Sequence, residues 1–255
     1  MTAPDDPQES SAPLVDAHSH VDTRVPGAWE LTSPQVVTLV NSTGMDDLEA
    51  SVSWVKRHGR TSFLFAGLHP TNPNGELPAF VGWVEGHVPL VSGIGEIGLD
   101  KRIDLGESRK LFRAQLELAS GLGMPATVHT RGRVAEAFED LSSYGLRVLL
   151  HWFQGSEGEL REGLDRGYYF SYGPPILYSG KMRKLLRATE AARLLLETDS
   201  PVRYPSCFES RESSPSTVAS VYFKAAELLE VEVGELEKLI AGNASSFLGK
   251  GVPPS

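Results

Sequence analysis

The sequence predicts an α/β chain that folds as a (β/α)8 TIM barrel in a single domain. Eight short apolar runs, each followed by a longer polar or amphipathic segment, recur at the spacing of βα units. Polar residues stand repeatedly at the ends of these runs, where the active sites of such barrels lie. The length of 255 residues suits one barrel. A doubly wound open sheet is the alternative, but no Gly-x-Gly-x-x-Gly turn follows the first run.

The apolar runs define the predicted strands, which span residues 14–20, 36–40, 62–68, 90–97, 126–129, 147–152, 168–171 and 193–198. Apolar residues at a period of 3.6 predict helices between or after them, most clearly over residues 108–122, 133–144, 217–229 and 232–241. Pro125 and Gly145 are stop signals at two of the predicted helix-to-strand junctions.

Composition limits the class of protein. The net charge of −9 and the pI near 5.3 argue against a basic surface that coats nucleic acid. A nucleic-acid enzyme remains open, because bound metal ions add local positive charge. A single cysteine, Cys207, excludes an internal disulfide, and no apolar run is long enough to predict a transmembrane helix. Residues 1–13 are predicted to form a disordered leader, residues 14–250 the barrel, and the cytoplasm is the expected location.

The first predicted strand contains two histidines separated by one residue, His18 and His20. Alternate side chains of a strand point to the same face, so the two imidazoles are expected to lie side by side. Neutral imidazoles so placed can share one metal ion. Two polar strand residues with ordinary hydrogen bonds are the competing interpretation, which the pair alone does not exclude.

Further candidate ligands strengthen the metal interpretation. Five of the seven histidines stand at ends of predicted strands: His18, His20, His69, His129 and His151. Glu96 and Asp199 end two more, and four histidines with two carboxylates exceed the needs of one tetrahedral ion. Two divalent metal ions with a bridging carboxylate would use all six ligands and would activate a water for hydrolysis. Zn²⁺, Mg²⁺ and Mn²⁺ all remain open.

The chain resembles the TatD family of metal-dependent hydrolases and DNases, within the amidohydrolase-like group of barrels. The resemblance rests on motifs in family order: residues 16–20 (DAHSH), 67–70 (GLHP), 95–100 (GEIGLD), 112–115 (FxxQ), 125–131 (PxxxHxR), 151–156 (HWFxGS) and 197–201 (ETDSP), with Asn243 and Phe247 near the C-terminus. It implies a barrel that holds two divalent metal ions and cleaves phosphodiester bonds, often in DNA from an end.

The resemblance also implies a role for each matching residue. Six residues would be metal ligands: His18, His20, Glu96, His129, His151 and Asp199. Glu96 would bridge the two ions and, with Asp199, is assigned to catalysis, since Asp199 would orient or deprotonate the attacking water. His69 and Arg131 would bind the substrate by facing the scissile phosphate. Asp16 and Glu197 share strand faces with ligands and are expected to be inward-pointing structural groups.

The chain departs from the family at Trp152 and Gln154, where cysteine and serine are usual. Strand alternation predicts that Trp152 points away from His151 and packs against a helix. The His-Trp-Phe form looks most like the TatD-like nuclease of the Qat antiphage defence system, which implies other components of a defence complex as partners. The loop after Pro201 also differs from that of the family, so the resemblance constrains the substrate less than it constrains the metal ligands.

Three functions remain to be separated. The first is a DNase of the 3′ exonuclease type, with DNA as the partner. The second is the same metal chemistry on another substrate, such as a D-aminoacyl-tRNA ester, a small phosphoester or an amide, motivated by the acidic composition and the altered loop. The third is a binding component of a defence complex that has lost catalysis, against which all six filled ligand positions argue.

Overall fold

A computed structural model describes residues 12–21, 36–72 and 77–253 of the chain. In these ranges eight parallel strands form one sheet in chain order, in agreement with the prediction. The strands are β1 (Leu14–Ser19), β2 (Val36–Asn41), β3 (Ser62–Ala66), β4 (Val91–Gly98), β5 (Ala126–His129), β6 (Val148–Leu150), β7 (Tyr169–Tyr172) and β8 (Leu194–Leu196). The predicted leader falls, for residues 1–11, outside the described part.

The sheet closes on itself through a seam of hydrogen bonds between residues 16–20, in and after β1, and residues 198–200, after β8. The amide of Asp199 donates to the carbonyl of His18 (2.9 Å), and the amide of His20 donates to the carbonyl of Ser200 (2.8 Å). Deeper in the same seam, the Asp16 carboxylate accepts hydrogen bonds from the amide (2.8 Å) and the hydroxyl (2.6 Å) of Thr198. The chain is therefore a (β/α)8 barrel, and the open-sheet alternative is wrong.

Thr198→Val tests how much the hydrogen bonds of this seam stabilise the closed barrel. The substitution deprives the buried Asp16 carboxylate of one donor, and an unsatisfied buried acceptor costs about 1–3 kcal/mol. We expect the free energy of unfolding in urea to fall by that amount. Thr127→Val is the matched control: its buried hydroxyl has no hydrogen-bond partner among the described residues, so its loss should be neutral or stabilising. Equal losses in both variants would contradict the role of the seam.

Helices connect the strands and cover the outside of the barrel. They are α1 (Met45–His58), α2 (Leu77–Gly86), α3 (Leu105–Leu122), α4 (Val134–Leu141), α5 (Glu157–Asp165), α6 (Gly180–Ala188), α7 (Val218–Leu229) and α8 (Val233–Leu248). Asp104 and Ser156 cap α3 and α5 by accepting hydrogen bonds from backbone amides of the first turn. No helix of the described ranges is long and apolar enough to cross a membrane.

The last helix fixes the end of the chain to the barrel. α8 runs to Leu248, beyond the predicted end at residue 241, and packs against β1 and β8. Asn243 donates from Nδ2 to the carbonyls of Ala191 (2.7 Å) and Leu194 (2.8 Å), and the buried Phe247 ring stacks on Phe65 at 5.7 Å. The C-terminal Asn and Phe therefore have structural roles.

Several predicted strands are longer than the observed ones, and the difference concerns the site. β6 ends at Leu150 and β8 at Leu196, so His151 and Asp199 lie in the loops that follow. Trp152 (φ 39°) and Asp199 (φ 49°) have left-handed backbone conformations, which a strand cannot contain. Apolar periodicity does not register such turns, because the flanking residues remain buried.

Candidate active site

A cavity of about 1230 Å³ opens at the carboxyl ends of the strands. Seven predicted site residues line it: His20, His69, Glu96, His129, Arg131, His151 and Asp199. The eighth, His18, is fully buried directly beneath them, and its ring stacks on that of His151 with centroids 3.8 Å apart. All eight residues therefore converge at the end of the barrel where active sites of this fold lie.

One group of side chains surrounds the Oε2 atom of Glu96. The Nε2 atoms of His18 and His20 lie 3.5 and 3.3 Å from it and 3.1 Å from each other. Oδ1 of Asp199 lies 3.6 Å from the first nitrogen and 3.3 Å from the second. Ligands bound tetrahedrally at 2.0–2.1 Å lie about 3.3 Å apart. His18, His20 and Glu96 are thus spaced as ligands of one metal ion, and Asp199 lies beside both imidazoles.

A second group surrounds the other carboxylate oxygen, Oε1 of Glu96. His151 Nε2 lies 2.7 Å from it, His129 Nδ1 2.9 Å and His69 Nε2 3.2 Å. The facing nitrogens of His129 and His151 are 3.3 Å apart. Because each oxygen of Glu96 faces its own set of imidazoles, the carboxylate is placed to bridge two ions.

Hydrogen bonds on the far side of two rings direct their lone pairs toward Glu96. His20 contacts the carbonyl of Asn41 through Nδ1 (2.9 Å), so in the neutral ring that nitrogen carries the proton. His129 contacts Oδ2 of Asp100 through Nε2 (3.0 Å), which leaves Nδ1 unprotonated. A carboxylate or carbonyl behind an imidazole is the usual arrangement around metal-binding histidines. In their neutral forms both rings therefore have the tautomer that a metal ligand needs.

The pKa values of His18 and His20 are shifted in opposite directions. Burial lowers the pKa of His18 to about 3, so its ring is neutral and available as a ligand. Burial also opposes protonation of His20, but hydrogen bonds and the charges of Asp199 and Glu96 outweigh it and raise its pKa well above the ordinary value. The two carboxylates therefore draw positive charge into the site, which a metal ion can provide in place of a proton.

The carboxylates at the centre are held in their ionised forms. Burial opposes ionisation of Glu96, but the charges of His69 and His151 and hydrogen bonds from imidazoles hold its pKa well below the usual range. For Asp199 burial is likewise outweighed by a hydrogen bond from His20 and by neighbouring imidazoles, so its pKa is lowered. Ionised oxygens beside imidazoles, which bind metals in their neutral form, are a donor set that fits divalent metal ions.

His69 differs from His20 and His129 in its tautomer. The amide of Thr71 donates to Nδ1 of His69 (3.1 Å), so the neutral ring carries its proton on Nε2, the nitrogen that faces the cavity. A protonated nitrogen cannot bind a metal but can donate to an anionic oxygen. The side chain of Gln115 fixes the loop by bonding both backbone groups of Leu68 (2.7 and 3.1 Å). This geometry favours substrate binding by His69.

Arg131 is exposed where it lines the cavity, so its guanidinium is available to an entering ligand.

Asp16 and Glu197, the carboxyls predicted to point inward, are both fully buried. Burial raises the pKa of Asp16 to about 7 despite its bonds to Thr198. Burial and the charge of Asp199 raise the pKa of Glu197 well above the usual range, and its Oε2 accepts from the hydroxyl of Ser171 (2.5 Å).

Two features were not predicted from the sequence. Asp100 orients His129 and is itself held by the guanidinium of Arg102 through Nε (2.9 Å) and Nη2 (2.5 Å). Its place in the Gly-Glu-Ile-Gly-Leu-Asp motif was the available signal. The expectation that Trp152 points away from His151 is wrong. Its left-handed backbone ends strand alternation, and the side chain lines the same cavity as His151.

Comparison with protein families and known relatives identifies the family of this chain. The family described as TatD related DNase matches residues 15–249. The 3′-5′ ssDNA/RNA exonuclease TatD of Klebsiella pneumoniae is 30% identical over 199 residues, which cover 72% of this chain and 76% of that protein. The uncharacterized metal-dependent hydrolase YabD of Bacillus subtilis is 26% identical over 251 residues, 91% of this chain and 97% of that one.

A solved structure shows the same fold. YJJV, a TatD homolog from Escherichia coli K12, superimposes with a TM-score of 0.82 at 23% identity, over 92% of this chain and 97% of that one. The likeness supports the barrel assignment over nearly the full length of both chains.

Proposed function

Since the chain belongs to the TatD family of metal-dependent hydrolases, we propose that it is a DNase of the 3′ exonuclease type that uses two divalent metal ions. The observation that supports this most is the position of Glu96, whose two oxygens face separate groups of ligands. Two ions so bridged suit displacement at phosphorus, because one can activate the nucleophile and the other the leaving group. All six predicted ligand positions carry ligand residues, which argues against a binding component that has lost catalysis.

The side chains divide the work of such a reaction. His18, His20 and Asp199 would hold one ion, His129 and His151 the other, with Glu96 between them. Divalent ions held there would supply the positive charge that acidifies a water molecule and neutralises phosphate oxygens. The ionised Asp199 accepts the proton of the attacking water. His69 donates its Nε2 proton to a phosphate oxygen, and Arg131 offers a guanidinium fork to the same group.

The substrate and the polarity are tested with metal-stripped protein and single-stranded DNA labelled at either end. Mg²⁺, Mn²⁺ or Zn²⁺ is added in turn, with an Asp199→Ala variant beside the wild type. We expect stepwise shortening from the 3′ end that requires both the metal and Asp199. If DNA remains intact with every metal, the proposed substrate is wrong, and D-aminoacyl-tRNA, small phosphoesters and amides become the substrates to test.

Asp100→Asn tests the group behind His129. The amide can present NH₂ rather than a charged oxygen to the ring, which destabilises the tautomer that frees Nδ1. Loss of a carboxylate behind a metal-binding histidine typically weakens metal affinity about 10–100-fold. Titration calorimetry with Mn²⁺ should show this weakening at one site.

Asp140→Asn is the control for that substitution. Asp140 is also a buried carboxylate bound by arginines, Arg109 and Arg113, but it does not line the cavity. We expect its replacement to affect stability and not metal affinity. Unchanged affinity in Asp100→Asn would show that His129 does not depend on this carboxylate.

Membership of the Qat subgroup, with partners in a defence complex, stays a prediction.

A further inference from the structure

The side chain of Trp152 forms an unusual part of the cavity wall. Among the described residues that line the cavity, it carries the one aromatic ring besides the imidazoles. The ring is half-buried and follows His151 directly, so its Cα lies about 3.8 Å from that of a residue in contact with Glu96. It is therefore a flat apolar surface next to the place where the reacting group binds.

The position of this ring is well determined by its neighbours. Trp152 has a left-handed backbone conformation (φ 39°), which is strained for a bulky residue and persists only where the surroundings enforce it. Tyr204 lies beside it, with ring centroids 5.7 Å apart at 53°. Tyr204 is itself buried and donates from its hydroxyl to the carbonyl of Thr198 (2.6 Å). A fixed ring loses little conformational entropy when a ligand packs on it.

The rest of the cavity suits the phosphates that would accompany such a ligand. Cationic side chains line it on several loops and helices: Lys101, Arg102, Arg131, Lys181 and Lys184, of which Arg102 and Lys184 are paired with Asp100 and Glu157. Single-stranded nucleic acid binds to sites that combine cationic side chains for the backbone with aromatic rings on which bases stack. Among the described residues that line this cavity, Trp152 provides the aromatic ring on which a base can stack.

We propose that Trp152 is a stacking platform for the base of a nucleotide that flanks the scissile phosphate. The proposal rests on the proposed nuclease function and adds a residue that selects substrates with a base at this position. Stacking on an indole accepts every base, so it would favour single strands, whose bases are free to unstack, without selecting a sequence. Leaving groups or esters without a base would bind less well.

A cycle of protein and substrate changes tests this interaction. The substrates are single-stranded oligonucleotides with either a normal nucleotide or an abasic one on each side of the terminal phosphodiester. The variants are Trp152→Leu, which keeps an apolar side chain without a π face, and Trp152→Phe, which keeps a ring. Phe223→Leu is the control, because that ring is 66% exposed on α7 and does not line the cavity.

We expect wild-type kcat/KM to fall about ten-fold when the base on one side is missing. The same preference should persist in Trp152→Phe and Phe223→Leu and should shrink to near unity in Trp152→Leu. Loss of activity in Trp152→Leu on both substrates by the same factor, with the preference for a base retained, would overturn the proposal and make Trp152 a packing residue. A wild type that shows no preference would also overturn it.

Failure of the nuclease function itself gives a different pattern. In that case the wild type cleaves neither oligonucleotide with any added metal, and the stacking proposal falls with it. Cleavage that does not depend on a base overturns the role of Trp152 alone and leaves the nuclease proposal standing.

Discussion

Glu96→Ala is expected to abolish the binding of at least one metal ion and to lower kcat on single-stranded DNA by a factor on the order of 10³. The carboxylate faces five imidazoles through two different oxygens, so its removal takes a ligand from both groups. The loss of the negative charge of Glu96 also weakens the attraction of cations to the centre of the site. Metal content by mass spectrometry and single-turnover cleavage measure the two effects.

Glu136→Ala is the matched control for that change. Glu136 also lines the cavity, but its Oε1 is bound to Arg133 at 2.7 Å. We expect this variant to keep its metals and nearly all of its rate. Two bound metals and full activity in Glu96→Ala would show that the carboxylate does not bridge the ions, whereas a comparable loss in Glu136→Ala would point to a general effect of cavity charge.

Asp199→Asn should have the second large effect. The substitution preserves the size of the side chain but removes a negative ligand oxygen and the acceptor for the proton of water. General base catalysis typically contributes about 10²–10⁴-fold, and we expect kcat to fall within that range. Because an amide does not ionise, raising the pH should not restore a proton acceptor at this position in the variant.

Glu197→Gln is the comparison that isolates this role. Glu197 lies two residues away and is also buried, but burial and the charge of Asp199 raise its pKa and so favour the neutral carboxyl, which an amide resembles closely. We expect its activity to remain close to that of the wild type. If Asp199→Asn retained the wild-type rate constant, or if Glu197→Gln lost as much, the assignment of the proton acceptor would be wrong.

Much of the fold and of the central site follows from local sequence patterns. His18 and His20 could be paired from strand alternation alone, and their nitrogens lie 3.1 Å apart. Glu96 could be identified as a candidate ligand by counting polar residues at strand ends, whereas its bridging role was implied by the resemblance to the TatD family. Both arguments work because parallel strands of a barrel present their carboxyl ends to one cavity.

Other features depend on contacts between distant segments or on a local turn. The bond between Asp100 and His129 joins residues 29 positions apart, and no periodicity in either segment indicates it. Trp152 could not be placed because its direction follows from a left-handed backbone conformation at the end of β6, whereas alternation assumes that the strand continues. The tautomer of His69 likewise depends on the Thr71 amide, two residues ahead of it in the loop.

Titration of metal-stripped protein with Mn²⁺, while cleavage of single-stranded DNA and bound metal are followed together, tests two-metal catalysis most directly. Activity should appear only as the second equivalent binds, and the Glu96→Ala variant should never reach it. Full activity with one equivalent bound, or cleavage that continues in excess chelator, would contradict catalysis by a pair of ions bridged by Glu96.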